Sequence, residues 1–161
     1  MKVLANRHVG IIVHDIENMI DFYTGLGMTM KSYGLMTEKG EFIEGLLNSK
    51  GIILKTAKLT IKNDELPEKY WFVLELMTLN HDENENYSKR VNKVPFSFGN
   101  NENGVLDIAF TVDDINAVSD YVISNGGVVV GEVMKATVGF QALHRYLLDP
   151  ERNVLHVAEN L

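Results

Sequence analysis

Four ionisable residues interrupt apolar strand-like segments of this chain: His8, Glu75, Asp107 and His156. His8 sits in Arg7-His8-Val9-Gly10-Ile11-Ile12-Val13 and Asp107 in Leu106-Asp107-Ile108-Ala109-Phe110-Thr111-Val112. The two segments share one layout, and Asp15 and Asp114 follow them at the same offset. A second related pair is Val73-Leu74-Glu75-Leu76 and Val154-Leu155-His156-Val157. Burying an unpaired charge is expensive, so one in each of four repeat-related segments points to a shared site. If all four converge, two imidazoles and two carboxylates suit one divalent first-row ion, Zn, Ni, Co, Mn or Fe, better than Ca. Four protein ligands on an ion that accepts six leave two adjacent positions for a substrate with neighbouring oxygens. A carbonyl polarised there loses a neighbouring proton more readily. Glu75 is the first candidate for the base that takes it.

These residues must be positioned by strands and helices, and the periodicity supplies them. Residues 7–13 read as a strand with Val9, Ile11 and Val13 on a helix-facing side and His8, Gly10 and Ile12 on the other. Asp15 reads as an N-cap for a helix carrying Ile16, Met19, Ile20, Tyr23 and Leu26 on one face. A strand over 27–35, a short helix over 41–47, a strand over 53–61 and a strand over 70–79 complete the first half. The second half repeats the order: strand 105–112, helix 114–125, then strands 128–134, 140–148 and 154–159. Each half is thus βαβββ. The first is longer, with the extra residues between Leu35 and Thr60.

The modules are expected at 1–79 and 104–161, joined by a polar segment, 80–103, that reads as a linker or a flap over the site. Phe96 and Phe98 around Pro95 favour some docking of that segment. His14 and His81 fall at strand ends, where a solvated histidine is the default. His144 shares a strand with Tyr146, with a cavity position and an exterior one equally open. Arg145 reads as a surface ion-pair partner.

Composition narrows the function classes. The chain has 161 residues, 45% hydrophobic and 23% charged, which fits a soluble globular protein. A net charge of −7 argues against nucleic acid as a partner. The absence of cysteine excludes disulfides and thiolate chemistry. The polar N-terminus does not resemble a signal peptide and no apolar run is long enough for a membrane span, so a cytoplasmic protein is expected.

His8-Val9-Gly10-Ile11-Ile12-Val13, Asp21-Phe22-Tyr23 and Leu26-Gly27-Met28 resemble the vicinal oxygen chelate superfamily. That group contains glyoxalase I, methylmalonyl-CoA epimerase, extradiol dioxygenases and bleomycin- or fosfomycin-resistance proteins. Asp107 to Asp114 and Tyr146-Leu147-Leu148-Asp149-Pro150-Glu151-Arg152-Asn153 look like its second-module signatures. The resemblance covers nearly the whole chain. It implies an α+β fold of two tandem βαβββ modules forming a curved, cup-shaped mixed sheet with helices outside, and a homodimer. It places the metal positions on His8, Glu75, Asp107 and His156. In glyoxalase I-like members the third position is usually histidine and the fourth glutamate, an order inverted here. The usual Asp-Pro-Asp-Gly-Asn turn becomes Asp149-Pro150-Glu151-Arg152-Asn153, without its glycine.

The expected activity is a metal-dependent lyase or isomerase acting on a small oxygenated chelating substrate. An extradiol-type ferrous dioxygenase using His8, His156 and Asp107 is the alternative, which Glu75 disfavours by filling a fourth position. A metal-free sequestering protein is the third reading. In that case Asp107 and His156 are expected to pair with each other.

Overall fold

Helix capping by Asp15 sets the first module. Its Oδ1 accepts from the Asn18 N–H at 3.0 Å and satisfies one of the free donors at the start of helix α1 (Ile16–Gly25). The strand before it, β1 (Val9–Ile12), lies parallel to β5 (Val73–Asn80). Between them in sequence come β2 (Thr29–Met30), β3 (Met36–Lys39), helix α2 (Glu41–Leu47) and β4 (Ile53–Thr60). The strand order is β1-β5-β4-β2, with β3 also paired to β4. Residues 2, 6–81, 107–136 and 141–161 are described by this computed structural model, whose chain divides into units Met1–Val91 and Asn92–Leu161.

The core of the first unit follows the helical and strand periods. Ile16, Met19 and Tyr23 of α1 are at most 2% exposed, as are Leu59 of β4 and Leu74 and Leu76 of β5. Full burial of such side chains contributes about 1.5–3 kcal/mol each. A separate cluster of Ile43, Ile52 and Leu54, with Met77 and Leu79 packed on it, places α2 beside the opposite sheet face. The strand expected over 27–35 is shorter, only β2 (Thr29–Met30), and the next strand, β3, begins beyond it at Met36. Gly34 adopts φ +66 and its N–H bonds the Lys31 carbonyl at 3.0 Å, so the chain turns before β3 begins. The added length of this module is β3 and α2, within the interval expected for it.

In the second unit Asp114 Oδ1 accepts from the Asn116 and Ala117 N–H groups, each at 2.9 Å, and caps α3 (Ile115–Ser124). The strands are β6 (Ile108–Val112), β7 (Val128–Lys135), β8 (Ala142–Leu148) and β9 (Val154–Asn160). Their order is β6-β9-β8-β7, with β6 parallel to β9 and the rest antiparallel. This is the βαβββ sequence of elements. Glu159 Oε2 accepts from the Ile115 N–H at 2.8 Å and ties the start of α3 to β9. The segment read as linker or flap lies largely in 82–106, outside the described residues, as do Phe96 and Phe98. Among the described residues no helix is long and apolar enough to cross a membrane.

Candidate metal centre

In the first unit the register of three strands builds the site. Gly10 of β1 and Lys58 of β4 both stand opposite Glu75 of β5. His8, two residues before Gly10, shares its face, and Thr56 shares the face of Lys58. His8 Nε2 lies 3.0 Å from Glu75 Oε2. The other oxygen, Oε1, accepts from the Thr56 hydroxyl at 2.8 Å and pairs with Lys58 Nζ at 3.2 Å. Glu75 is only 6% exposed, so these three partners offset the cost of burying its charge. At Gly10 a Cβ would stand 2.6 Å from Met77 Cε, so glycine leaves room for the methionine beside the carboxylate.

Sequence reasoning found His8 and Glu75 but missed Thr56 and Lys58. Their signal was present in the period-two pattern of 53–61, where both are polar and share a face. Nothing local says that this face meets Glu75. That depends on the pairing of β4 with β5.

The second unit starts from the same plan. Ala109 of β6 and Tyr146 of β8 both stand opposite His156 of β9, and Asp107 precedes Ala109 by two residues. The contacts differ. His156 stacks on Tyr146 with ring centroids 4.7 Å apart, and its Nε2 lies 3.0 Å from His144 Nδ1. Two neutral imidazoles at that distance share one proton, one donating and the other accepting. The Tyr146 hydroxyl donates to Asp107, and burial, then the charge and acceptor of that carboxylate, push the phenol above its ordinary 10.0.

Among the described residues no ion pair joins Asp107 to His156, so the pairing expected for a metal-free site is replaced by bonds to β8. The reason is register: Tyr146 and His144 of β8 lie on the same face as His156 and are closer partners. His144 thus shares a face with His156. Arg145, on the opposite face, bonds Ser119 Oγ at 3.2 Å and the Gly131 carbonyl at 3.4 Å, which makes it a brace between α3 and the sheet instead of the expected surface ion-pair partner.

The donor chemistry can be tested against an ion. The 3.0 Å between His8 Nε2 and Glu75 Oε2 matches the edge of an octahedron with bonds of about 2.1 Å, which is about 3 Å. The same distance is that of the direct contact the two side chains already make, so an ion held by them would have to replace that contact. Among the described residues of either unit, no group of three or more His, Asp or Glu side chains is arranged to hold an ion alone.

The chain belongs to the Glyoxalase/Bleomycin resistance protein/Dioxygenase superfamily, whose sequence profile matches residues 7–157. Its structure is similar to a glyoxalase family protein from Bacillus cereus, with TM-score 0.73 and 21% identity over 100% of this chain and 97% of that one. It is similar also to a glyoxalase I mutant from Zea mays, with TM-score 0.58 and 20% identity over 95% of this chain and 45% of that one. A superfamily enzyme from Burkholderia phytofirmans shares TM-score 0.52 and 18% identity, over 96% and 98%. At these identities the likeness is one of fold. No curated protein matches the chain.

Proposed function

We propose that the protein is a divalent-metal-dependent lyase or isomerase that removes a proton next to a carbonyl of a small oxygenated, chelating substrate. His8, Glu75, Asp107 and His156 are the proposed ligands. The observation that carries the reading is the His8–Glu75 pair, spaced at 3.0 Å as neighbouring ligands would be. When bound, the ion supplies a Lewis acid for the substrate carbonyl. Thr56 and Lys58 hold Glu75 Oε1, so Oε2 is the oxygen that would face the ion, and it would take the proton from carbon only where it leaves the ion. His8 fixes the direction of that oxygen. In the second unit Tyr146 holds Asp107, while His144 competes for the Nε2 of His156.

That competition favours a second reading, a metal-free protein that sequesters a small molecule. Every one of the four residues already has a partner within its own unit. The two readings separate on the elemental content of untagged protein. The first expects one divalent first-row ion per chain, lost sharply in His8→Ala and His156→Ala and retained in His14→Ala and His81→Ala. His144→Ala should tighten binding by releasing Nε2. Ion at a hundred times its Kd should stabilise the fold by about 2.7 kcal/mol. No bound metal, and no change in melting temperature on adding Zn, Ni, Co, Mn or Fe(II), would put sequestration in front. We propose a homodimer under either reading, checked by light scattering, where a stable monomer at micromolar concentration would count against it.

A further inference from the structure

The first unit carries a cavity of about 500 Å³, with His8 in its wall. Four of the 15 Lys and Arg residues of an acidic chain, Arg7, Lys31, Lys58 and Lys69, line it, against one acid, Glu68. Two of the four cations are matched: Lys31 Nζ bonds Glu68 Oε1 at 2.5 Å, and Lys58 pairs with Glu75 at 3.2 Å. Arg7 and Lys69 have no ion pair among the described residues. Lys69 Nζ lies 4.9 Å from the centroid of the Tyr70 ring, a contact that leaves its charge uncompensated. Like charges gathered in a concave wall focus a field that attracts an anion.

Trp71, Tyr33 and Val73 supply the apolar part of the wall, and Trp71 is held in place. Trp71 donates its Nε1–H to the carbonyls of Asn63 at 2.8 Å and Leu66 at 2.9 Å. The indole is therefore held by its edge, and its ring surface lies in the cavity wall with Lys31 Nζ 6.0 Å from its centroid on one face. Tyr33, 49% exposed, and Val73 extend that surface. A volume in the range of about 300–1,000 Å³ suits a ligand of more than a few heavy atoms.

We propose that this cavity binds an organic anion, a carboxylate or phosphate carried on a planar or apolar body, with Arg7 and Lys69 taking the acid and Trp71 the body. It rests on the reading above in one respect: the bound anion is then the non-reacting arm of the substrate whose oxygens reach His8 and Glu75.

Trp71 is the only tryptophan, so its emission reports on this wall alone. Phenyl phosphate and phenylacetate, with neutral phenylacetamide as the control, are titrated into chelator-treated protein. At least one anion should shift the emission saturably and bind about tenfold more tightly than the amide, in keeping with charge-assisted contacts. The stronger of the two anions identifies the acid. Arg7→Gln and Lys69→Gln should each weaken that anion about tenfold and leave the amide unchanged. Their melting temperatures should match that of the parent, so a loss of binding is not a loss of fold. Anion and amide binding alike, or indifference to both substitutions, overturns the proposal. Anion binding that appears only after metal is restored also overturns it, because the anion then sits on the ion, and that result leaves the proposed function standing. Binding that persists in metal-free protein and in His8→Ala upholds the cavity even if no metal chemistry is found.

Discussion

The two modules begin alike and finish differently. In each, a small residue of the first strand, Gly10 or Ala109, faces an ionisable residue of the last strand, Glu75 or His156. In each, an antiparallel neighbour completes the row, Lys58 of β4 or Tyr146 of β8. Thr56 and His144 stand two residues before these and are equivalent in turn. Yet the first module joins its own pair, His8 to Glu75, and reinforces the acid with a hydroxyl and an ammonium. The second draws its pair apart, with Asp107 bound to the Tyr146 hydroxyl and His156 between Tyr146 and His144. Repetition sets which positions meet. The strand beside them sets what they are bonded to.

Under the proposed function this difference would put the base in the first module, and substitution can break that assignment. Glu75→Gln keeps an oxygen for Thr56 but cannot accept a proton. Hydrogen exchange between D2O and the C–H bonds beside the carbonyl of hydroxyacetone, followed by proton NMR, should fall by about 10²–10⁴-fold in this variant. Asp107→Asn should cost less than about tenfold, since Asp107 is an acceptor for Tyr146 in this arrangement and not the base. Equal losses in the two variants would mean that the modules share the step. A larger loss in Asp107→Asn would move the base to the second.

How far the site was legible follows from where its information sits. The caps at Asp15 and Asp114, the helix faces and the side of each strand bearing His8, Glu75, Asp107 and His156 are local properties of period and residue type. The caps and the strand positions of Glu75 and His156 match the structure, while His8 and Asp107 each fall one residue before their strand and Phe22 joins the buried helix face. The partners Thr56, Lys58 and His144 depend on register between strands, which pairs Lys58 with Glu75 and Tyr146 with His156 from positions far apart in sequence. The end of β2 at Met30, well short of Leu35, was hidden for a different reason. The apolar residues of 27–35 suit a continuous strand, and only Gly34 marked the turn.

The aromatic side of the comparison is sharpened by pH. The Tyr146 phenol is held above 10.0 by burial first and then by Asp107. A raised folded value means that the unfolded chain loses this proton first. The stability it contributes is complete below pH 10 and is lost as pH rises through the folded value. Melting temperature should therefore fall more steeply above about pH 10 in the parent than in Tyr146→Phe. Asp107→Asn should also flatten the slope, in part, because burial remains. Identical alkaline profiles for parent and Tyr146→Phe would remove Tyr146 from the account of the second module.

The smallest expected effect lies at the turn between β8 and β9, which delivers His156 to its register. Asp149, fully buried, accepts from the Glu151 and Asn153 N–H groups at 2.9 and 2.8 Å and from Asn153 Nδ2 at 2.7 Å. Those bonds hold Arg152 at φ +71, a left-handed conformation that costs an L residue about 1–2 kcal/mol. The family's usual glycine has no such cost at this place, and here the network around Asp149 sustains the arginine without it. Arg152→Gly removes the strain but enlarges the freedom of the unfolded chain, which costs about 0.4–1 kcal/mol. The net gain should be about 0.5–1 kcal/mol, read as a rise of a few degrees in melting temperature. Asp149→Ala should act in the opposite direction and more strongly, since it leaves two backbone donors of the turn unpartnered. A fall in stability for Arg152→Gly would show that the arginine makes contacts that outweigh its backbone conformation.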